Sequence, residues 1–101
     1  MKKLIIDPQG GFEVIATTPR AQAATIVLAS GEPTGGPDNR HAASDQWLYV
    51  TGGRGYAVVE GQRVALETGT LLLIESGEAH EITNDGNKPL ASLNIYAPPE
   101  Y

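Results

Sequence analysis

Short apolar runs alternate with turn-forming residues along the whole chain. The 12 glycines and 7 prolines fall mostly between these runs, which is typical of an all-β protein. No segment of about ten or more residues shows convincing helical periodicity. The alanine-rich stretch Ala21–Leu28 has a β-branched centre that favours a strand. We therefore predict strands at Lys3–Asp7, Glu13–Thr17, Ala24–Ala29, Trp47–Thr51, Gly55–Glu60, Gln62–Glu67, Thr70–Ile74, His80–Asn84 and Leu90–Ala97.

The connections between these strands also carry signals. Glu60-Gly61-Gln62 predicts a tight hairpin turn in which Gly61 takes a positive φ. The stretch Asn84–Asn87 is a second strong turn signal. Ser30–Asn39 is the longest irregular stretch, and we predict a surface loop there. Many short strands with regular turns predict a sandwich or barrel, and the lack of a linker predicts one domain, residues 1–101.

Composition narrows the classes of function. The formal net charge is 7 − 12 = −5, which argues against nucleic acid and anionic membranes as partners. The absence of cysteine excludes disulfides, thiolate chemistry and cysteine-ligated zinc. The apolar run Leu4–Ile6 is too short for a signal peptide or a membrane span, so we expect a cytoplasmic protein.

Two segments hold the polar residues that could carry chemistry. In GPDNRHAASDQWLYVTGG, residues 36–53, Asn39 and His41 are two positions apart, so an extended chain turns both to one face. Gln46 follows them. In GTLLLIESGEAHEITN, residues 69–84, His80 comes directly after a predicted turn. Taken alone, each histidine would be interpreted as an ordinary polar residue at the rim of a sheet.

The first segment resembles the first motif of the cupin superfamily, whose members are small jelly-roll β-barrels. Asn39 stands where that motif has its first histidine, and His41 stands at the second histidine. Gln46 stands at the glutamate, and Gly53 closes the motif. Two of the three ligand positions in this motif are therefore altered.

The second segment resembles the second cupin motif more closely. Gly69, Gly77, His80 and Asn84 match it position by position, with Glu75 in place of a proline. The resemblance covers roughly residues 24–97. It implies a cupin-type jelly-roll β-barrel of two antiparallel sheets.

The resemblance also implies a divalent metal site, for zinc, nickel, iron or manganese, inside the barrel. The four ligand positions carried over from the family are Asn39, His41, Gln46 and His80. They offer two imidazoles and two neutral amide oxygens, a weaker donor set than three imidazoles and one carboxylate. Some cupins that act on unsaturated uronic acids are similar in having glutamine for the glutamate, so Asn39 is the larger departure.

Two functions remain open at this point. In the first, the metal is a Lewis acid, and His41, His80 and Tyr96 are the candidate catalytic residues that move protons. Isomerase, lyase or dioxygenase chemistry on a sugar-derived or small organic acid would fit the family. In the second, the chain is a metal-free ligand-binding or sensory barrel without enzymatic activity. For Ser92, Asn94 and Tyr96, alternation does not say whether their face lines the barrel.

The strand after Gln46 suggests a partner surface. If Gln46 faces the pocket, then Leu48 and Val50 also face inward, and Trp47 and Tyr49 lie outside. An outer aromatic pair on a small barrel is an apolar patch that another sheet or a partner subunit can bury. The resemblance likewise implies a homodimer.

Overall fold

The computed structural model describes residues 1–36 and 39–101, and it contains no helix within those ranges. These residues form nine strands: β1 Gly11–Thr17, β2 Gln22–Leu28, β3 Pro33–Gly35, β4 Asp45–Gly52, β5 Arg54–Val59, β6 Gln62–Glu67, β7 Leu71–Ile74, β8 His80–Thr83 and β9 Leu90–Ala97. Accordingly, the described part of the chain has no helix that is long and apolar enough to span a membrane.

The strands form two antiparallel sheets. One has the order β1-β2-β9-β4-β7 and the other the order β3-β8-β5-β6. The prediction of an all-β chain with two antiparallel sheets is confirmed. The pairings among the described strands do not join the sheets into a closed barrel, and the arrangement is consistent with a jelly roll. The single-domain prediction stays a prediction.

The predicted strand at Lys3–Asp7 is wrong. Residues 1–9 have no strand structure, and the side chain of Ile5 is 89% exposed. A short apolar run becomes a strand only where another strand can satisfy its backbone N–H and C=O groups. In the described residues, the first sheet ends at β1 instead.

The predicted loop Ser30–Asn39 contains a short strand. β3 pairs with β8 at the edge of its sheet, with Pro33 opposite Thr83 and Gly35 opposite Glu81. Proline is tolerated at the start of an edge strand because its missing N–H leaves no bond in the sheet interior unmade. The remainder of this loop includes positions 37 and 38, which lie outside the described residues.

The predicted hairpin turn at Gly61 and the motif residue Gly53 have clear physical reasons. Val59 pairs with Gln62, so Glu60 and Gly61 form a two-residue hairpin turn with φ of 48° and 78°. The predicted positive φ of Gly61 is confirmed. At Gly53, φ is 81°, and a Cβ would lie 2.2 Å from the carbonyl oxygen of Pro89. That contact leaves room only for glycine.

The inward residues of the strands divide the space between the sheets into two ends. One end, which we call the apolar end, is formed by the buried cluster Ile26, Leu28, Leu48, Val50, Ala57, Leu66, Ile82 and Leu90. We call the polar end the buried set Gln22, His41, Gln46, His80, Asn94 and Tyr96.

The alternation predicted for β4 is confirmed. Leu48 and Val50 are buried, whereas Trp47 and Tyr49 are 41% and 44% exposed. On β9, the open question is resolved in favour of the face that carries Ser92, Asn94 and Tyr96, since all three side chains are buried.

Candidate functional site

The two sequence motifs meet at the polar end through backbone hydrogen bonds. The N–H of Gly77 donates to the carbonyl of His41 at 2.7 Å, and the N–H of His80 donates to the carbonyl of Asn39 at 2.8 Å. The segment before β4 is therefore fixed against the turn between β7 and β8. Gln46 enters the same place from β4, where it pairs with Tyr96 of β9.

The structure brings the four predicted ligand positions together. The ring centroids of His41 and His80 lie 4.9 Å apart. His41 Nε2 lies 3.0 Å from Gln46 Oε1, and His80 Nε2 lies 3.3 Å from Asn39 Nδ2. His41, Gln46 and His80 are buried, whereas Asn39 is an exposed residue at the edge of the cluster.

His80 is held in one tautomer. Its Nδ1 lies 3.0 Å from the carbonyl oxygen of Glu78, which can only accept, so Nδ1 carries the proton. Nε2 is then the acceptor for the Asn39 amide. Burial lowers the pKa of His80 and is the largest effect; the hydrogen bond to the Glu78 carbonyl raises it, and the neighbouring His41 ring lowers it. His80 is therefore a neutral imidazole at neutral pH, and its Nε2 lone pair faces the Asn39 amide.

His41 lies between two oxygens. Its Nδ1 is 3.1 Å from Glu100 Oε1, and its Nε2 is 3.0 Å from Gln46 Oε1. Both contacts are hydrogen bonds at once when the ring carries two protons and a positive charge. A neutral His41 with Nδ1–H fits the same positions if the amides of Gln46 and Asn94 turn over, because amide oxygen and nitrogen have nearly the same shape.

Buried hydrogen bonds to residues of β9 fix the side chain of Gln46. Gln46 Nε2 donates to Asn94 Oδ1 at 2.9 Å, and Asn94 Nδ2 donates to Ser92 Oγ at 3.0 Å. Gln46 is 1% exposed and Asn94 is fully buried. Sequence reasoning gave Asn94 and Ser92 no place in the site, although their alternation with Leu93 was the available signal.

Tyr96 packs on His41. The two rings meet edge to face, with centroids 5.2 Å apart. Burial raises the pKa of Tyr96, and the neighbouring Tyr101 and Glu100 raise it further. The phenol therefore stays protonated at neutral pH, so it can donate a hydrogen bond but does not act as a base.

The segment Pro98–Tyr101, which follows β9, covers the polar end. The Tyr101 ring lies 5.2 Å from the ring of Tyr96 and 6.0 Å from that of His41, between centroids. The Glu100 carboxylate contacts His41. Sequence reasoning missed this segment, because it lies beyond both motifs and its only signal is the pair of prolines that ends β9.

Asn84 matches the second motif for a structural reason. Its Nδ2 donates to the carbonyls of Leu28 and Lys88 at 2.9 and 2.7 Å, and its Oδ1 accepts from the N–H of Gly86 at 2.9 Å. The side chain is fully buried. Asn84 therefore holds the loop between β8 and β9 and has no atom free for a ligand.

The donor set fits a weakly held divalent metal. Each ring has its Nδ1 against an acceptor, which is how metal-ligating histidines are usually oriented. The remaining donors are neutral amides, which bind zinc or iron less well than carboxylates. Within residues 1–36 and 39–101, no three His, Cys, Asp or Glu side chains group closely enough to hold a metal by themselves.

Comparisons with known proteins agree with this architecture. Residues 24–96 match the family model described as the cupin domain. The tetracenomycin polyketide synthase protein TcmJ of Streptomyces glaucescens is 36% identical, over 80% of this chain and 57% of its own length. Gentisate 1,2-dioxygenase of a Ralstonia species is 27% identical, over 91% of this chain and 25% of its own length. The chain thus spans only part of each of these relatives.

Solved structures share the fold. A protein of Bacillus halodurans superimposes with a TM-score of 0.89 at 24% identity, covering 99% of this chain and 84% of its own. KdgF from a Halomonas species superimposes with a TM-score of 0.77 at 23% identity, covering 87% and 77% of the two chains. At these identities the likeness shows the fold alone. Since the family match extends over most of the nine-strand region, the chain belongs to the cupin family.

Proposed function

We propose that this chain binds a small organic acid at a polar site formed by His41, Gln46 and His80, together with a weakly held divalent metal. The observation that carries the proposal is the orientation of the two histidines. Each Nδ1 contacts an acceptor, the Glu100 carboxylate or the Glu78 carbonyl. Both Nε2 atoms therefore face side-chain amides, that of Gln46 for His41 and that of Asn39 for His80.

The relatives support the class of ligand. Two relatives of this chain are named as a gentisate dioxygenase and a polyketide synthase protein, and gentisate is a small organic acid. The chain covers a quarter of the dioxygenase, so a shared ligand class is proposed rather than a shared substrate. Isomerase, lyase and dioxygenase chemistry are all compatible with the residues present.

The residues have distinct roles in this proposal. His80 is neutral and presents Nε2, while Gln46 contributes an amide oxygen whose position is fixed by Asn94. A bound metal would supply Lewis-acid polarisation of a carbonyl or carboxylate oxygen. Tyr96 remains a neutral phenol that can donate a hydrogen bond to a ligand oxygen. In the metal-free protein, His41, which lies between Glu100 and Gln46, is the candidate for proton transfer to a ligand.

Calorimetric titration of the metal-free protein with zinc tests the proposal. We expect weak but saturable binding in the wild-type protein and none in His80→Ala, because the variant retains one imidazole. Asn87→Ala, a change on an exposed loop, is the matched control and should bind like the wild type. Saturable zinc binding that survives in His80→Ala would show that the ion binds elsewhere and would overturn the proposal.

A second function, a metal-free binding site, is favoured by one observation. The contacts of His41 with Gln46 and Glu100 are complete hydrogen bonds when the ring is positively charged. A buried cation of this kind is a partner for a carboxylate ligand without any metal. Thermal-shift measurements with organic acids, with and without a chelator, separate the two functions. Stabilisation that persists in the chelator supports the second, and stabilisation that requires the metal supports the first.

We also propose that the chain is a homodimer that buries the outer face of β4 and β7. Trp47 pairs with Leu73 and Tyr49 pairs with Leu71 across these strands, and all four side chains are partly exposed. A contiguous exposed apolar patch of this kind usually marks a surface that binds another protein. Sedimentation at micromolar concentration should give a dimer, and Tyr49→Glu should give a monomer. A wild-type monomer would contradict this proposal.

A further inference from the structure

Glu100 lies outside both sequence motifs, yet its carboxylate contacts His41, one of the predicted ligands. Its Oε1 lies 3.1 Å from His41 Nδ1, and its Oε2 lies 3.2 Å from Ser44 Oγ. Nδ1 is the ring nitrogen that does not contact Gln46. Glu100 therefore contacts Nδ1 of His41, while Nε2 of the same ring faces Gln46, another predicted ligand position.

Two buried polar side chains hold this glutamate in place. Oε1 of Gln22 accepts from the N–H groups of Glu100 and Tyr101 at 3.3 and 2.9 Å, and its Nε2 donates to the Tyr101 carbonyl at 2.7 Å. Ser44 Oγ donates to the Pro98 carbonyl at 2.6 Å. Gln22 is 2% exposed and Ser44 is 1% exposed. Because burying such groups is costly unless they are bonded, these contacts specify where Glu100 lies.

Aromatic packing fixes the same segment from the other side. The ring of Tyr101 lies between the rings of Phe12 and Tyr96, at centroid distances of 4.7 and 5.2 Å. The Glu100 backbone is thus bonded to Gln22, and the neighbouring Tyr101 packs against the rings of Phe12 and Tyr96. A carboxylate held this way loses little further freedom when it bonds to His41.

The site needs a negative charge that its ligand positions do not supply. Those positions offer imidazoles and amides, all of them neutral, and a buried cation without a counter-charge is destabilised. Glu100 brings a carboxylate into direct contact with the His41 ring. In metal sites, a carboxylate on the far nitrogen of a histidine fixes its tautomer and makes the ligating nitrogen more basic.

We propose that Glu100 is a positioning residue of this site: its carboxylate fixes His41 with a proton on Nδ1 and supplies, through that ring, the negative charge that the ligand positions lack. The role of the charge rests on the proposed metal function. The role of the tautomer applies to the metal-free protein as well, so the two can be tested separately.

The test compares Glu100→Gln and Glu100→Ala with the wild type, and Glu67→Gln, an exposed glutamate on β6, is the matched control. Ring nitrogen chemical shifts of His41 are measured in the metal-free protein, and the zinc dissociation constant is measured by calorimetry. In Glu100→Ala we expect the His41 proton to move from Nδ1 to Nε2. In Glu100→Gln, which keeps an acceptor, we expect Nδ1 to stay protonated and zinc to bind about 10- to 100-fold more weakly.

The outcomes separate this inference from the proposed function. If the wild-type protein binds zinc, and Glu100→Gln binds it equally well, the charge role is overturned while the metal site stands. If the wild-type protein binds no zinc, the metal site fails, and the ring shifts decide the role of Glu100. Unchanged His41 shifts in Glu100→Ala would then overturn it, and a changed tautomer with unchanged His80 signals would support it.

Discussion

The apolar and polar ends of the space between the sheets are built on the same strands but by different chemistry. Along β4 the inward residues run from Gln46 to Leu48 and Val50, and all three are at most 1% exposed. At the apolar end, burial stabilises the fold by roughly 25 cal/mol per Å² of apolar surface. At the polar end, each buried group must be hydrogen-bonded, or it costs about 1–3 kcal/mol.

The hydrogen bonds at the polar end are complete. Among the described residues, no buried side-chain nitrogen or oxygen lacks a partner. Exchanging protein–water for protein–protein hydrogen bonds contributes only about 0.5–1.5 kcal/mol per bond, so apolar residues would stabilise this end at least as well. Equal burial with unequal chemistry is therefore what we expect if the polar end has the proposed binding role and the apolar end contributes mainly stability.

The largest effect should come from the apolar end. Leu48→Ala removes buried atoms from the close-packed cluster and should reduce the free energy of unfolding by about 2–5 kcal/mol. Chemical denaturation measures this loss. Zinc affinity per folded molecule should be unchanged, because Leu48 belongs to the apolar cluster and is not one of the proposed ligands. A loss of zinc binding in the folded variant would mean that the two ends are not separable.

A smaller effect should come from the polar end. Gln46→Leu is close in volume, but it leaves His41 Nε2 and Asn94 Oδ1 without their partner. We expect a loss of about 1–3 kcal/mol in the free energy of unfolding, since unsatisfied buried groups carry that cost. Zinc affinity should fall at the same time. A variant more stable than the wild type, with unchanged zinc affinity, would contradict the assignment of Gln46 to the site.

The smallest effect is a pH dependence that is confined to the polar end. Burial lowers the pKa of His80 below its ordinary value of 6.5, so the unfolded chain takes up a proton more readily than the folded one. The metal-free protein should therefore lose stability as the pH falls below that value. Denaturation of the wild type and His80→Gln at several pH values measures the difference. Parallel pH profiles for the two proteins would rule out the contribution of His80.

Much of the fold follows from local pattern, and the exceptions have physical causes. The alternation of β4 and the hairpin at Glu60–Gly61 depend on neighbouring residues, so the sequence predicts them. The apolar run at Lys3–Asp7 has the composition of a strand but no partner strand. The three-residue strand β3 is too short for any periodic pattern and depends on its pairing with β8.

The candidate site divides in the same way. Asn39, His41, Gln46 and His80 could be selected by motif spacing, and the structure brings them together. Glu100 could not be selected, because its contact with His41 depends on how the segment after β9 crosses the polar end. Such a contact depends on tertiary packing, and no periodic pattern in the sequence predicts it.

The zinc affinity of Asn39→His tests the central claim most directly. Asn39 lies against His80 Nε2 and occupies the weakest of the proposed ligand positions, so an imidazole there should lower the zinc dissociation constant. Asn87→His, which adds a histidine on an exposed loop, is the matched control and should leave the constant unchanged. Tighter binding in Asn39→His alone is the predicted result. A correctly folded Asn39→His protein whose zinc affinity equals that of the wild type would contradict the claim that these residues form a metal site.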